Sequence, residues 1–147
     1  GIIFRHYDVP ERRALYEKVR RIARARRLVL LLAGPPALAI GWKADGAHGR
    51  SPHRRSPRPL LRTAPAHDAR ELVAARGMDA VFLSPVFATR SHPGSPTLGP
   101  VRFGLLARTS KLPVIALGGM DARRAQRLKP LGATGWAAID GLTPRRS

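Results

Sequence analysis

Short apolar runs alternate with helix-type segments along almost the whole chain, and this alternation constrains the fold more than any other feature. The runs are continuously apolar, which is typical of parallel strands covered on both faces. Their repetition predicts an α/β fold with parallel strands and crossover helices. The predicted strands are Ile2–Phe4, Leu28–Leu32, Gly46–His48, Leu60–Thr63, Ala80–Leu83, Val114–Leu117 and Trp136–Ile139.

Acidic residues mark three predicted helix starts. Asp8 is followed by Glu11 at the spacing of a capping box, and Asp68 with Glu71 repeats that spacing. Asp121 follows a double glycine directly and is the third predicted N-cap.

Seven strands in this rhythm fit a doubly wound sheet or most of a (β/α)8 barrel. A complete barrel takes roughly 200 residues or more. A barrel formed by this chain of 147 residues would therefore lack its first strand and helix. The chain opens at Gly1 directly into an apolar run without an initiator Met, so we expect a longer natural protein.

The composition excludes several classes of protein. There is no cysteine, which excludes thiol catalysis, zinc–thiolate sites and disulfide scaffolds. A hydrophobic content of 44% is that of a folded domain. The longest apolar run, at 28–33, is far shorter than the roughly 20 residues that cross a bilayer. We expect a cytoplasmic protein with one domain over residues 1–147 and no membrane partner.

The net charge is +18, from 27 basic and nine acidic side chains. Arginine greatly outnumbers lysine beside abundant Ala, Gly and Pro, as a GC-rich coding sequence would produce. Excess positive charge also gives salt-sensitive phosphate binding, so a basic nucleic-acid-binding protein remains an alternative. The most basic stretch, 49–59, has no aromatic side chain on which a base would stack, which argues against a nucleic-acid partner.

Two loops after predicted strands carry residues suited to binding anions. Residues 84–95 combine hydroxyl and basic side chains between Pro and Gly. In residues 113–121 a predicted strand is followed by Gly118-Gly119 and then by a predicted helix. A double glycine at this point lets backbone N–H groups approach a phosphate. Barrels often bind phosphate with the loops after strands seven and eight, where this double glycine and residues 138–141 would lie.

Four segments together resemble one family. Residues 84–94, 113–120, 44–48 and 135–137, in their order and spacing, look like thiamine-phosphate synthase. The resemblance implies a (β/α)8 barrel that joins hydroxymethylpyrimidine diphosphate to a thiazole phosphate, with Mg²⁺ present, and releases pyrophosphate. It also implies small phosphorylated substrates as partners and allows a homo-oligomer.

On the thiazole-phosphate side, the resemblance is largely preserved. Two loop hydroxyls, the double glycine and the end of the last strand match family positions, although an aspartate replaces a family serine. The implied substrate-binding residues are Thr89, Ser91, Gly118, Gly119, Ile139 and Asp140.

On the diphosphate side, the chain departs from the family. Arg5 matches the family arginine, while His92 replaces a lysine and Arg90 is its candidate substitute; these three are the candidate catalytic residues. Ala33 and Gly34 stand where the family has an Asn-Asp pair that helps to hold Mg²⁺, and no acid lies near the second expected metal position. The magnesium ligands are therefore not evident. The histidines are expected to be surface or loop residues rather than metal ligands: His48, His53, His67 and His92.

Three further functions remain open. The related thiazole tautomerases carry a histidine where this chain has Pro85, so that branch fits less well. A non-catalytic phosphate-binding relative would agree with the missing metal carboxylates. A basic nucleic-acid binder would show steeply salt-dependent retention on DNA and indifference to thiazole phosphate.

Overall fold

The computed structural model describes residues 1–50, 59–89 and 94–139. The strands are β1 Ile2–Phe4, β2 Leu30–Ala33, β3 Gly46–His48, β4 Leu61–Ala66, β5 Ala80–Leu83, β6 Val114–Ala116 and β7 Gly135–Trp136. The helices are α1 Arg12–Ala25, α2 Pro36–Gly41, α3 Ala69–Ala74, α4 Gly99–Thr109 and α5 Ala122–Leu128, followed by a 3-10 turn at Lys129–Leu131. None of the helices in the described ranges is both long and apolar enough to span a bilayer.

The chain divides into two compact units, Gly1–Thr63 and Ala64–Ser147. In the first unit, β1 pairs with β2, β2 with β3, and β3 with the beginning of β4, always in parallel. Gly46 is required at the centre of this ladder. A Cβ there would collide with the Leu31 side chain and the Leu61 carbonyl, and it would lie 2.7 Å from the Leu61 Cβ.

The first unit has a core of strand residues covered by α1 and α2. Tyr16 is its largest fully buried side chain, and its ring packs edge-on against Phe4 at 5.4 Å between centroids. The other buried members are Ala23, Leu30, Leu32, Ala39 and Ala47. Burial of this apolar surface is the main term that stabilises such a unit.

In the second unit, β5 pairs with β6 and β6 with β7, again in parallel. The end of β4 also belongs to this unit, where the Ala66 carbonyl accepts a hydrogen bond of 3.0 Å from the Ser84 amide. The core centres on the fully buried side chains Leu83, Val81, Val114, Phe103 and Leu128.

The strands follow chain order from β1 to β7 and alternate with helices. This confirms the predicted α/β class and the prediction of an incomplete (β/α)8 barrel. The prediction of a single domain over the whole chain stays a prediction.

Predicted strand bounds agree for β1, β3 and β5 and need correction elsewhere. The predicted start at Leu28 is wrong because Leu28 still closes the end of α1, donating its amide to the Ala23 carbonyl at 2.8 Å. The predicted bounds of the last strand, Trp136–Ile139, are also wrong, since β7 spans Gly135–Trp136. Ladder pairing ends with the hydrogen bond from the Ala137 amide to the Ala116 carbonyl at 2.9 Å, so Ile139 lies beyond β7 and is 60% exposed.

Two of the three predicted helix caps are confirmed. The Asp68 and Asp121 carboxylates accept the amides of Glu71 and Arg124, each at 2.8 Å. The predicted capping box at Asp8 is wrong, because α1 begins after Glu11, whose backbone is left-handed at φ 52° and whose side chain makes no cap hydrogen bond.

Candidate functional site

The loops after the carboxyl ends of parallel strands are where barrel enzymes place their reacting groups. Each unit has its own set of these ends. In the first unit they are the ends of β1, β2 and β3; in the second they are the ends of β4, β5, β6 and β7. The two sets are described separately.

In the first unit, Arg5 directly follows β1 and its side chain is exposed. Its positive charge acts on His48, the last residue of β3, which is only 7% exposed. Burial, and secondarily the charge of Arg5, lowers the pKa of His48 from 6.5 to about 4. His48 is therefore neutral at physiological pH, and its Nδ1 lies 2.9 Å from the Thr63 hydroxyl. The prediction that His48 is a surface or loop residue is wrong because β3 is buried along its whole length.

Arg12 joins the carboxyl ends of β1 and β2. Its Nε donates to the His6 carbonyl, and its Nη2 donates to the Ala33 carbonyl at 2.9 Å. The guanidinium carbon also lies 5.4 Å from the ring centroid of Tyr7 and 5.2 Å from that of Trp42. These contacts fix a positive charge at the strand ends. Sequence reasoning missed Arg12, because its contacts with Ala33 and Trp42 join residues that are far apart in the sequence.

The first unit offers poor ligands for the magnesium ion that the resemblance implies. In the described part of the chain no group of three or more His, Cys, Asp or Glu side chains is placed to hold a metal. Gly34 has φ +146°, a conformation that an aspartate there would adopt only with strain. The donor set at these ends is thus arginine, neutral histidine, backbone and the separate exposed acids Asp8 and Glu11, which is a poor fit for a hard divalent cation that needs several oxygen ligands together.

Of the acids of the first unit, two are committed elsewhere and two are exposed in the loop after β1. Glu17 pairs with Arg13 at 2.7 Å and with Arg20 at 2.9 Å. Asp45 precedes β3 and accepts the Leu30 amide at 2.8 Å, at the amino ends of the strands. Only the exposed Asp8 and Glu11 lie in the segment between β1 and α1.

In the second unit, the loop after β5 packs on the double glycine after β6. The Val86 amide donates to the Leu117 carbonyl at 2.9 Å, and the Phe87 amide donates to the Gly118 carbonyl at 3.0 Å. Gly118 has φ +93°, and a Cβ there would lie 2.7 Å from the Pro85 Cα. Gly119 has φ +60°, and a Cβ there would lie 2.9 Å from the Phe87 Cβ. The glycines let the two backbones touch, which a side chain at either position would prevent.

Arg124, in α5, contacts both the double glycine and the β5 loop. Its guanidinium donates to the Gly119 carbonyl, lies 4.8 Å from the Phe87 ring centroid and pairs with Asp121 at 3.7 Å. Sequence reasoning missed Arg124 as well. Its position three residues after a predicted N-cap indicates a partner for the cap, but no sequence signal indicates the contact with Phe87.

The predicted thiazole-phosphate residues are only partly brought together. Gly118 and Gly119 contact residues 85–88, and the half-buried Thr89 follows that stretch directly. Ile139 is exposed beyond β7. The remaining predicted site residues lie outside the described ranges: Arg90, Ser91, His92 and Asp140.

His67 follows β4 and contacts the residue that follows β5. Its Nδ1 lies 2.6 Å from the Ser84 carbonyl oxygen and 3.4 Å from the Ser84 hydroxyl. Because a carbonyl only accepts, Nδ1 carries the proton and Nε2 is the ring's lone-pair nitrogen in the neutral form. The Glu71 carboxylate accepts the His67 amide at 2.8 Å, so a helix-cap residue also holds this corner.

Comparison with known proteins decides the family. The sequence pattern described as thiamine monophosphate synthase matches residues 2–142. The chain belongs to this family. The resemblance drawn from the four sequence segments is thereby confirmed.

Relatives of this family match at low identity. The thiamine-phosphate synthase of Latilactobacillus sakei subsp. sakei (strain 23K) is 24% identical over 142 residues, covering 89% of this chain and 63% of that protein. The putative thiamine-phosphate synthase 2 of Aquifex aeolicus (strain VF5) is 26% identical over 135 residues, covering 85% and 72%. The chain thus spans about 63% of the length of the Latilactobacillus synthase.

Solved structures support the fold. Thiamine phosphate pyrophosphorylase from Pyrococcus furiosus superposes with a TM-score of 0.70 at 21% identity, covering 90% of this chain and 68% of the other. Thiamine phosphate pyrophosphorylase from Bacteroides thetaiotaomicron gives 0.62 at 17% identity, covering 95% and 69%. The chain therefore shares its fold with about two thirds of each of these two structures.

Proposed function

We propose that the protein couples hydroxymethylpyrimidine diphosphate to thiazole phosphate, yielding thiamine phosphate and pyrophosphate. The observation that carries this proposal is the family match over residues 2–142. The close contact between the β5 loop and the double glycine supports it, because it brings a glycine pair that precedes a helix beside the loop that leads to Thr89. The classes thiamine biosynthesis and transferase follow from the family; the coupling itself is our proposal.

The proposed reaction is a displacement at the methylene carbon of the pyrimidine. The bond from that carbon to the diphosphate oxygen breaks, and its electron pair leaves with pyrophosphate. The lone pair of the thiazole ring nitrogen then forms the new carbon–nitrogen bond. No proton has to move, so the protein has to hold two substrates in line and stabilise charge on the leaving group.

Arg5 is the proposed cation for the leaving group. It is exposed at the end of β1, so a diphosphate has access to its guanidinium. Charged hydrogen bonds of this kind favour an anion whose charge grows as the bond breaks. Arg90 and His92 stay predicted contributors to the same task.

In the second unit, we propose that the phosphate of the thiazole binds to backbone N–H groups at Gly118 and Gly119. Thr89 would add a hydroxyl from the loop that packs on these glycines. Ser91, Ile139 and Asp140 stay predicted members of the same phosphate site. At Asp140 the backbone N–H is the useful donor, since its carboxylate would repel the phosphate.

A non-catalytic phosphate-binding relative is the second candidate. The observation that favours it is the donor set of the first unit, which lacks the carboxylates expected for Mg²⁺. Magnesium remains an expectation from the family resemblance, and no step proposed here depends on it.

The two candidates differ in product formation. Full-length protein is incubated with both substrates, and thiamine phosphate is measured by chromatography for wild type, Arg5→Ala and Arg26→Ala. We expect Arg5→Ala to lower kcat/KM by about tenfold to a hundredfold, the range for losing a charged hydrogen bond. Arg26→Ala is the matched control, because Arg26 is also an exposed arginine of the first unit but caps the far end of α1.

Absence of product from folded wild-type protein would favour the non-catalytic relative. Equal activity of Arg5→Ala and Arg26→Ala would show that the leaving group is not held at Arg5.

A further inference from the structure

We propose that Arg12, together with Arg5, neutralises the diphosphate in place of a magnesium ion, so that the protein binds inorganic pyrophosphate without any divalent cation. The identity of the ligand rests on the proposed function. The assignment of Arg12 and the independence from metal come from the geometry of the first unit.

The guanidinium of Arg12 has donors to spare. A guanidinium carries five N–H bonds. In the described residues, one of these donates to His6 and one to Ala33. Three N–H bonds therefore remain for a ligand, on a group whose orientation is already fixed by two carbonyl acceptors. A donor fixed before binding loses less entropy when the anion arrives.

The rings around Arg12 hold it in place without neutralising it. Phe4, Tyr7 and Trp42 have ring centroids 5.8, 5.4 and 5.2 Å from the guanidinium carbon. Aromatic faces attract the cation but leave its full charge. An arginine paired with a carboxylate would instead bind a diphosphate weakly.

Arg13 shows what such pairing looks like one residue away. Its guanidinium carbon lies 4.9 Å from the same Trp42 ring, but its Nη2 pairs with Glu17 at 2.7 Å. Arg12 and Arg13 thus share a ring and differ in having a carboxylate partner. The pair provides an internal control.

Arg12 also contacts the backbone beside the position where the family resemblance places a metal ligand. Its Nη2 donates to the carbonyl of Ala33, directly before Gly34, the two positions at which the family has an Asn-Asp pair. A fixed cation at this point disfavours a divalent ion, and the carboxylates of the same loop, Asp8 and Glu11, are exposed. The same cation attracts the diphosphate directly.

The test is calorimetric titration of inorganic pyrophosphate into the full-length protein, in EDTA and in excess Mg²⁺. We expect binding in EDTA, with a Kd within about threefold of any value measured with Mg²⁺. Arg12→Gln should weaken binding by about tenfold to a hundredfold, the loss expected for charged hydrogen bonds. Arg12→Lys, which keeps the charge but not the fork of donors, should lose most of the same affinity. Arg13→Gln should bind within twofold of wild type.

Thermal unfolding of each variant without ligand separates binding from folding. If Arg12→Gln is unfolded under the conditions of the titration, the pyrophosphate affinity of Arg12→Lys alone tests the proposal. Binding that requires Mg²⁺, or equal affinity for wild type and a folded Arg12 variant, would overturn the inference.

The outcome is separable from that of the proposed function. Product formation that EDTA abolishes would overturn metal independence and leave the synthase proposal standing. Pyrophosphate binding through Arg12 in EDTA, without any product from the two substrates, would support the inference about Arg12 and contradict the proposed coupling reaction.

Discussion

The carboxyl ends of the strands present side-chain groups in the first unit and backbone contacts in the second. In the first unit side chains determine the site, namely the charges of Arg5 and Arg12 and the buried His48. In the second unit backbone determines it, because Gly118 and Gly119 let the β5 loop touch the chain after β6. A side chain is exchanged by one substitution without reshaping the loop, whereas a backbone contact is not. This difference predicts that a substitution in the double glycine of the second unit costs more stability than one at Gly34 in the first.

The largest effect is expected where backbone meets backbone. Gly119→Ala should lower the free energy of unfolding by at least about 3 kcal/mol, because the Cβ would collide with the Ala88 carbonyl at a positive φ. Gly34→Ala, in the first unit, should lose less, about 1–3 kcal/mol, since its φ is also positive but its Cβ would meet only the Leu38 Cδ2 at 3.5 Å. The measurement is urea unfolding.

Gly41→Ala is the control for both. Gly41 ends α2, and a Cβ there meets nothing within 4 Å, so we expect no loss or a gain of up to about 1 kcal/mol. Equal losses at positions 119 and 34 would contradict the contrast between the units.

The next effect belongs to the first unit and depends on pH. The pKa of His48 is lowered to about 4 in the folded state, chiefly by burial, from 6.5. The unfolded state therefore binds the proton first, and stability is fully present above pH 6.5 and is lost as the pH falls toward 4. The loss reaches about 3 kcal/mol if the whole shift is realised.

The measurement is the free energy of unfolding of wild type and His48→Gln from pH 7 to pH 4. Glutamine retains a hydrogen-bonding group toward Thr63 but does not titrate. We expect the wild-type curve to fall more steeply than that of the variant. Parallel curves would show that His48 is not buried as a neutral ring.

Local patterns predicted the fold because the strands depend on burial. The continuous apolarity of Ala80–Leu83 is enough to place β5, since the burial of its side chains does not depend on the conformation of the loops. The α2 helix at Pro36–Gly41 was not predicted; it begins at a proline and has no side-chain cap that would mark its start. The end of β7 was misplaced because small alanines stay apolar after ladder pairing stops.

The candidate site was less predictable because its contacts are long-range. Arg5 and the double glycine were identified through the family resemblance, which depends on short motifs of residues adjacent in the sequence. Arg12 was missed because its role depends on Ala33, 21 residues away, and on Trp42, neither of which marks an arginine in sequence. The burial of His48 was missed for the same reason: Gly46-Ala47-His48 is too short to show that both neighbouring strands cover it.

The smallest expected effect concerns how the helices begin. In the second unit Asp121 caps α5 through its Oδ1, which accepts the Arg124 amide at 2.8 Å. In the first unit α1 begins without a side-chain cap although Asp8 precedes it. Asp121→Ala should therefore lower the free energy of unfolding by about 1 kcal/mol, and Asp8→Ala should stay within about 0.5 kcal/mol of wild type.

Asp121→Asn separates the two parts of the Asp121 contribution, because asparagine keeps the cap but not the charge beside Arg124, whose Nε lies 3.7 Å from the Asp121 Oδ2. If Asp121→Asn behaves as wild type in urea unfolding, the cap alone stabilises this end of α5. A loss equal to that of Asp121→Ala would instead assign the effect to the ion pair, which also positions Arg124 against Gly119.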